Sequence, residues 1–276
     1  MGYGIVLGML LLGWAVVVEP QLLVVRHIEI ESAEWPSNRP PLRIALIADL
    51  HTGSLWNGPE NVLRVVETVN AEKPDIILLL GDYVTTALLS GPFVPPEVTA
   101  DVLSELQAPM GVFAVLGNHD WWFDGPRVGR ALEQRGIVVL EDNIRIVGTS
   151  GGAFALVGIP DDTTRPHDVS RTLALVPEGL PAVVMTHDPA VFEDISERGV
   201  AVTFAGHTHG GQVYLPFVGA MVTPGRAPRR WAHGHTEESG RHLYVSAGIG
   251  TTILPIRFNM PPAVEIITLR SATKAN

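Results

Sequence analysis

Five short polar clusters contain most of the side chains in this chain that could do chemistry. They are Asp49-Leu50-His51, Gly81-Asp82, Gly117-Asn118-His119-Asp120, Thr186-His187-Asp188 and Gly206-His207-Thr208-His209. Four of the five clusters contain histidine, although the whole chain has only 10 histidines. Asp, Asn and Gly are common turn residues, but ordinary turns do not explain this concentration of imidazoles. The clusters therefore indicate one shared site.

The side chains of these clusters are typical ligands of divalent metal ions. Carboxylate oxygens, an amide oxygen and neutral imidazoles suit Mn, Fe, Zn or Ni better than calcium, which prefers an all-oxygen cage. The clusters supply more candidates than a single ion needs: Asp49, His51, Asp82, Asn118, His119, His187, His207 and His209. Two ions about 3.5–4 Å apart that share one carboxylate would use nearly all of them, and would contact both the attacking and the leaving oxygen of a displacement reaction.

The stretch FAGHTHGGQV (204–213) presents two histidines one residue apart. In a regular strand, His207 and His209 would point to opposite faces. The surrounding glycines permit a turn in which each histidine reaches a different ion of the pair. The alternative interpretation is a surface turn that happens to contain two imidazoles.

Each cluster follows a run of aliphatic residues that predicts a buried strand. The runs are Arg43–Ala48, Ile76–Leu80, Val112–Leu116, Ala182–Met185 and Ala201–Ala205. Helices are predicted near Pro59–Glu72, Pro95–Leu106 and Pro126–Arg135, because proline suits the first helical turn. This alternation predicts a layered α/β domain over residues 42–270. Its strands would end at one edge, where open α/β sheets bind their ligands.

Composition narrows the classes of function. A chain of 276 residues that is 46% hydrophobic is long enough to bury one large core. The absence of cysteine excludes disulfides, thiolate zinc sites and cysteine nucleophiles. The net charge of −10 disfavours nucleic acid as a partner, and nothing in the sequence indicates an obligate protein partner. An acidic protein that handles phosphate needs metal ions to supply positive charge.

The N-terminal segment predicts a membrane anchor. Residues 1–18 contain no charged side chain, and a helix of that length spans roughly 27 Å, close to the thickness of a bilayer core. A cleaved signal peptide is disfavoured, because no Lys or Arg precedes the apolar run and no small-x-small site follows it. A buried core helix is the other alternative, but it would be apolar on every face and tethered at the very start of the chain. We divide the chain into an anchor (1–25), a linker or first edge segment (26–41), the catalytic domain (42–270) and a tail (271–276). Arg26 and His27 give slight support to a cytoplasmic catalytic domain.

Together the five clusters resemble the five-block signature of the calcineurin-like metallophosphoesterases, in the order typical of that family. The resemblance implies a four-layer α/β/β/α sandwich of two mixed sheets, which holds two divalent ions such as Mn, Zn or Fe. The implied ligands are Asp49, His51 and His209 for the first ion, and Asn118, His187 and His207 for the second. Asp82 would bridge the two ions.

Two further residues receive roles from the same resemblance. His119 would face the substrate phosphate and donate a proton or a hydrogen bond to the leaving oxygen. Asp120 would fix the tautomer of His119, with helix capping as the alternative role.

Longer segments resemble a narrower branch of the family, the membrane-anchored YkuE/YaeI-like proteins, and also the chlamydial UDP-2,3-diacylglucosamine pyrophosphatases. These segments are GNHDWWFDG (117–125), HTHGGQVYLP (207–216), RRWAHG (229–234) and SAGIGTTILPIRF (246–258). The implied function is metal-dependent hydrolysis of a phosphoester, in the preferred form a membrane-associated phosphodiesterase or pyrophosphatase that acts on a lipid-linked or nucleotide substrate. UDP-2,3-diacylglucosamine hydrolysis in lipid A synthesis is the leading specific candidate. The alternatives are an envelope phosphomonoesterase and a non-catalytic metal-binding scaffold, and the presence of His119 disfavours the scaffold.

Several residues are candidates for substrate contact. Trp121 and Trp122 could stack on a base or line an acyl groove, with burial against a neighbouring loop as the alternative. The arginines that could pair with a phosphate are Arg226, Arg229, Arg230 and Arg257, although each of them taken alone is typical of a solvated surface. Leu88-Leu89, with Phe93 and Val94, predicts an apolar lip at the membrane surface.

Overall fold

The structure, a computed structural model, describes residues 2–86, 91–196 and 199–272. The strands in these ranges are β1 (Val24–Ser32), β2 (Leu42–Ile47), β3 (Ile76–Leu79), β4 (Val112–Ala114), β5 (Val138–Val139), β6 (Asn143–Thr149), β7 (Gly152–Gly158), β8 (Ala182–Met185), β9 (Val200–Ala205), β10 (Tyr214–Leu215), β11 (Gly219–Ala220), β12 (Gly234–Glu238), β13 (Arg241–Val245) and β14 (Ala263–Ser271). The α-helices are α1 (Gly2–Gly13), α2 (Pro59–Ala71), α3 (Pro96–Leu103), α4 (Asn118–Glu133) and α5 (Val169–Leu173). The predicted strands agree with β2, β3, β4, β8 and β9 to within two residues at each end.

Two mixed six-stranded sheets form the centre of the domain. The first has the order β1-β14-β2-β3-β4-β5 and the second has the order β12-β13-β9-β8-β7-β6. Strands β2, β3 and β4 are parallel neighbours in the first sheet, and β8 and β9 are parallel neighbours in the second. The strands that precede the five polar clusters therefore end at a common edge.

The hydrophobic core lies in two main layers, on either side of the first sheet. Ile44 and Leu46 of β2 point into the core between the sheets, where they join residues such as Met185 of β8. Ala45 and Ile47 point to the opposite side, where they join the apolar faces of α2, α3 and α4. This alternation is the two-residue period of a strand that is buried on both faces.

The outer face of the second sheet is covered by a thinner layer. Val169 of α5 and Phe192 of a 3₁₀ turn (Pro189–Asp194) pack against Val184 of β8 and Trp231. The rings of Phe192 and Trp231 meet edge to face, with their centroids 5.2 Å apart. The predicted α/β/β/α sandwich is thus confirmed, with short helical turns as its fourth layer.

Helix α4 consists of two helical segments joined at a kink. The second segment agrees with the helix predicted from Pro126, whereas the first segment, which begins at Asn118 and contains the third polar cluster, was not predicted. Asp124 interrupts the helix with a non-helical backbone (φ −170°, ψ 80°), and Pro126 follows this kink. Since proline cannot donate the backbone hydrogen bond of a helix interior, its position directly after the kink is favourable.

The N-terminal segment forms one long apolar helix. Helix α1 continues as a π-helical turn (Trp14–Val18) and a 3₁₀ turn (Glu19–Gln21). Its stretch Tyr3–Gln21 is long and apolar enough to cross a membrane, and most of it is exposed. Strand β1 begins at Val24, two residues before the segment predicted as a linker or edge (26–41), and pairs in parallel with β14 at the edge of the first sheet.

Glu265 of β14 is a buried carboxylate that makes stability depend on pH. Its carboxylate accepts hydrogen bonds from Ser246 Oγ (2.8 Å) and from the backbone N–H of Ala247 (3.1 Å), and burial raises its pKa from 4.5 to about 7. A carboxyl group whose pKa is higher in the folded chain than in the unfolded chain contributes its full stabilisation at pH values below its pKa in the unfolded chain. That stability is lost as the pH rises through the folded value.

We therefore expect Glu265→Gln to remove this titration. Between pH 4.5 and pH 7 the free energy of unfolding of the wild type should fall relative to that of the variant, by up to about 3 kcal/mol. Denaturant unfolding of the metal-free, detergent-solubilised chain across this range would measure the difference. A difference that does not change with pH would contradict the prediction.

Candidate metal centre

The candidate metal centre lies where strands of both sheets have their carboxyl ends, and the seven predicted ligands are all buried there. Five of these seven residues have a left-handed backbone: Asp49 (φ 52°), His51 (φ 42°), Asp82 (φ 58°), His207 (φ 70°) and His209 (φ 52°). Residues with a Cβ adopt this region rarely, and strain of this kind concentrates at functional sites. The histidines of the GHTH turn thus make the sharp turn themselves, rather than relying on glycine alone.

Glycine is required where the backbone passes close to a ligand. A Cβ at Gly117 would lie 2.2 Å from Asp82 Oδ1, and a Cβ at Gly248 would lie 2.7 Å from Asp49 Oδ2. Both contacts are shorter than any that packed atoms tolerate. These two positions therefore keep the space that the Asp49 and Asp82 carboxylates occupy.

The first group of donor atoms consists of Asp49, His51 and His209. The Nε2 atoms of His51 and His209 are 3.1 Å apart, and His209 Nε2 lies 3.6 Å from Asp49 Oδ1. The backbone N–H of His207 donates to the Asp49 carboxylate, with both N···O distances near 3 Å. These contacts connect the loops that follow β2 and β9.

The second group consists of Asn118, His187 and His207. His187 Nε2 lies 3.1 Å from Asn118 Oδ1 and 3.1 Å from His207 Nδ1. Asp82 lies between the two groups, because its Oδ2 is 3.4 Å from His51 Nε2 and 3.3 Å from His187 Nε2. The structure therefore groups the predicted ligands in the two expected sets, with Asp82 shared between them.

The orientation of the imidazoles fits a cation. Three of them direct Nδ1 at a backbone carbonyl oxygen: His51 at Val84 (3.1 Å), His187 at Leu80 (2.7 Å) and His209 at Gly250 (3.3 Å). A carbonyl oxygen accepts only from N–H, so the neutral rings of His51 and His209 carry their lone pair on Nε2. The 3.1 Å contact between His51 and His209 then brings two lone pairs together, and a cation between them would make it favourable.

The electrostatics of the site also favour bound positive charge. Burial lowers the pKa of His51 and of His207 to about 3, which keeps both rings neutral and available as ligands. Burial opposes protonation of His187 as well, but the Asp82 carboxylate outweighs it and raises the pKa of His187 well above its usual value. His207 Nε2 is buried and has no hydrogen-bond partner, although it lies 3.8 Å from Asp188 Oδ2. The donor set and its charges therefore fit divalent ions.

A cleft of about 470 Å³ opens onto the metal centre. His119 borders the cleft beside Asp82 and Asn118, and its ring lies edge-on to that of His51 with centroids 4.6 Å apart. Its Nδ1 is 2.6 Å from Thr86 Oγ1, and its Nε2 is 3.4 Å from the hydroxyl of Thr252. An imidazole held in this position can donate to an oxygen of a ligand in the cleft.

Asp120 does not have its predicted role as the residue that orients His119. Its Oδ1 accepts from the backbone N–H groups of Tyr83 (2.9 Å) and Val84 (3.2 Å), and its Oδ2 accepts from those of Asp82 (2.8 Å) and Gly117 (2.9 Å). A carboxylate that satisfies four backbone donors is a structural anchor. Asp120 thus caps α4, the alternative role, and also holds the loop that presents Asp82.

Asp120→Asn should consequently reduce stability rather than alter proton transfer. The new NH₂ group would face two backbone N–H donors, and we expect a loss on the order of 3 kcal/mol in the free energy of unfolding. Denaturant unfolding of the metal-free protein measures this loss, and the pH profile of kcat should keep its shape. A shifted profile with unchanged stability would restore the role of Asp120 as a partner of His119.

The structure separates the two predicted tryptophans. Trp122 lines the cleft with its side chain partly exposed, and its ring lies 5.0 Å from that of His119. Trp121 does not line the cleft, because it packs against the core beneath α4 and under the guanidinium of Arg165, which is 4.2 Å from the ring centroid. The predicted burial of an aromatic against a neighbouring loop thus applies to Trp121.

The predicted substrate arginines lie elsewhere. Arg257 is fully buried and donates to the backbone carbonyls of Ala247, Gly248, Gly250 and Met260, so it supports the loop beside Asp49 and cannot contact a substrate. Arg229 donates to Ala220 O, and Arg230 pairs with Glu238. Arg226 pairs with Asp162 and Glu193. None of the four lines the cleft. Of the predicted apolar lip, Leu88 and Leu89 lie outside the described residues.

Sequence reasoning missed several residues of the site. Thr86 and Thr252 contact His119, and Asp188 approaches the free nitrogen of His207. Asp188 directly follows a predicted ligand, and this position was a usable signal. The threonines lie in loops far apart in the chain, and nothing in their local sequence distinguishes them from ordinary loop residues.

Comparisons with known proteins agree with this geometry. The family described as "Calcineurin-like phosphoesterase" matches residues 42–211. The chain is 28% identical to the uncharacterized metallophosphoesterase YkuE of Bacillus subtilis, over 94% of this chain and 90% of that protein. It is 30% identical to the phosphodiesterase YaeI of Escherichia coli, over 89% and 87%. It is 26% identical to the UDP-2,3-diacylglucosamine pyrophosphatase LpxG of Chlamydia trachomatis, over 91% and 90%. The chain belongs to the calcineurin-like phosphoesterase family, and its relatives named as a phosphodiesterase and a pyrophosphatase support a phosphoester hydrolase.

Proposed function

We propose that this protein is a membrane-associated phosphodiesterase or pyrophosphatase with two divalent ions, and that it acts on a lipid-linked substrate. The observation that carries the proposal is the position of Asp82 Oδ2, which is about equally far from His51 Nε2 and His187 Nε2. One group of ligands lies on each side of this oxygen. When bound, such ions stabilise charge on phosphoryl oxygens and lower the pKa of water toward 7.

The side chains of the cleft would position the phosphate and handle the proton. His119 is the one predicted non-ligand imidazole at the cleft, and donation from it to the leaving oxygen would contribute about 10²–10⁴ in rate. The contact between its Nδ1 and Thr86 restrains the ring, so that Nε2 points toward Thr252, which also borders the cleft. Trp122 offers a flat apolar surface at the rim.

A diester or pyrophosphate substrate is favoured over a monoester by two relatives. YaeI is named a phosphodiesterase and LpxG a pyrophosphatase, and each aligns with nearly nine tenths of this chain or more. UDP-2,3-diacylglucosamine is the specific candidate, by similarity to LpxG. Release of UMP from that compound by the purified enzyme would support it, whereas hydrolysis of other diesters without UMP release would limit the proposal to the broader class.

The test of the proposed activity uses two chromogenic substrates. We expect the purified protein with added Mn²⁺ to cleave bis-p-nitrophenyl phosphate faster than p-nitrophenyl phosphate. Cleavage of the monoester alone would favour the envelope phosphomonoesterase. Lack of activity on both substrates with Mn²⁺, Zn²⁺ and Fe²⁺ would favour the non-catalytic scaffold.

The proposed membrane association relies on the N-terminal helix, which is long and apolar enough to span a bilayer. We expect the full chain to remain in the membrane pellet after alkaline carbonate washing, and a chain that begins at Leu22 to move to the supernatant. Mass spectrometry of the mature N-terminus distinguishes an anchor from a cleaved signal. Full-length chain in the supernatant would contradict the anchor.

A further inference from the structure

An apolar groove runs beside the metal cleft and joins it. The groove has a volume of about 350 Å³, and its apolar wall is formed by Val213, Met221, Val222, Ile253, Leu254 and Ile256. His209, Pro224, Thr252 and Ile253 border both the groove and the cleft. A molecule with its phosphate at the metal centre could therefore extend an apolar part into the groove without leaving the protein surface.

The groove wall is unusually exposed for side chains of this kind. Val222, Ile253 and Leu254 are 69%, 74% and 49% exposed. Phe217, at the tip of the hairpin formed by β10 and β11, is also fully exposed. A contiguous exposed apolar patch that is joined to a polar site is typical of a surface that binds an apolar ligand or a membrane.

The position of the N-terminal helix identifies the environment of this patch. Ile256 lines the groove, and the backbone N–H of its neighbour Arg257 donates to Ala15 O of the helix (2.9 Å). Trp56 Nε1 donates to Val16 O (2.8 Å), and the buried Glu19 accepts from the backbone N–H of Met260. The carboxyl end of the apolar helix is thus fixed against the segment that builds the groove. With the helix in a bilayer, the groove opens near the bilayer surface.

We propose that this groove binds the alkyl or acyl chain of an amphiphilic phosphoester whose phosphate lies at the metal centre. The proposal rests on the proposed hydrolase function and assigns its specificity to named residues. Val222, Leu254 and Met221 would contact the alkyl chain of the ligand. Ile253 borders both the groove and the cleft, so it would lie where the alkyl chain joins the phosphate. Each methylene buried in the groove raises kcat/KM by up to about fourfold.

The test uses p-nitrophenyl alkyl phosphodiesters from methyl to octyl, below their micelle concentrations, with the full chain in detergent. In each reaction the oxygen of water bonds to phosphorus and the bond from phosphorus to the aryl oxygen breaks, which releases p-nitrophenolate. One proton of the water remains on the alkyl phosphate and the other passes to solvent. We expect kcat/KM to rise steadily with alkyl length in the wild type. In Val222→Asp and Leu254→Asp this rise should be lost, because the charge opposes burial of the alkyl chain.

Val98→Asp is the matched control. Val98 is also an exposed valine, 38% exposed, but it lies on α3 away from the groove, so this variant should keep the wild-type dependence on alkyl length. Equal kcat/KM for the methyl and octyl esters would overturn the groove assignment and leave the hydrolase function standing. Cleavage of no ester with any metal would overturn both. If Val222→Asp changed the sedimentation coefficient and not the length dependence, the groove would be an interface between copies of the chain, and the proposal would be wrong.

Discussion

Asp82→Asn should remove most of the activity and most of the bound metal. The variant keeps the size of the side chain but loses the charge on the one oxygen that lies between the two ligand groups. Stabilisation of phosphoryl charge by metal ions contributes several kcal/mol, so we expect kcat/KM to fall by at least about 10³-fold. Elemental analysis after dialysis should show a clear loss from two equivalents of metal per chain.

Asp101→Asn provides the comparison for this experiment. Asp101 is a solvent-exposed carboxylate on α3 that pairs with Arg135, and the same change of side chain there should leave the metal content and kcat/KM near those of the wild type. If Asp82→Asn retained two equivalents of metal together with full activity, Asp82 would not be a shared ligand, and the proposed centre would be wrong.

His119→Gln should lower kcat by about 10²–10⁴-fold and leave both ions in place. His119 lies at the cleft, next to the ligands but outside the two groups, and its imidazole contacts Thr86 and Thr252. Glutamine retains polarity and bulk without an acid suited to neutral pH. The measurement combines steady-state kinetics on bis-p-nitrophenyl phosphate with elemental analysis of the same preparation.

Thr86→Val tests whether Thr86 positions the imidazole of His119. The variant keeps the imidazole and removes the 2.6 Å contact to Nδ1, so we expect a smaller loss of kcat, roughly 10- to 100-fold.

For His119→Gln, loss of metal would identify His119 as a ligand instead. This outcome has a structural basis, since His51, Asp82 and His119 also place donor atoms within 4.8 Å of one another.

Short sequence patterns predicted the strands and the polar clusters that follow them, because both depend on the residue types in a few consecutive positions. Aliphatic runs such as Ala182–Met185 gave the strands, since a strand that is buried on both faces must be apolar throughout. The polar clusters that follow these strands supplied the predicted ligands, and the structure brings them together because parallel strands end at the same edge. The insertion of β14 between β1 and β2 was not predictable in this way, because an apolar run specifies burial and not the identity of the neighbouring strand.

The errors concern residues whose partners come from distant loops. Arginine is usually a surface residue, and only the folded chain brings the carbonyls of Ala247 and Gly250 around Arg257. Asp120 directly follows His119, the proposed catalytic residue, yet its carboxylate accepts hydrogen bonds from the backbone of the loop at Asp82. The first segment of α4, which begins at Asn118 and ends at the kink at Asp124, was not predicted, because its first residues were assigned to the metal site.

The left-handed backbone of five predicted ligands affects the stability of the fold. These residues are Asp49, His51, Asp82, His207 and His209. At each of these five positions glycine would adopt the same backbone more easily, by about 1 kcal/mol or more. A chain selected only to remain folded would drift toward glycine there and lose its ligands. Ions bound at the proposed centre would reverse this preference, because they would favour the strained loops over their relaxed forms. Bound metal would then also increase resistance to unfolding, and we expect chelation to loosen these turns before the two sheets separate.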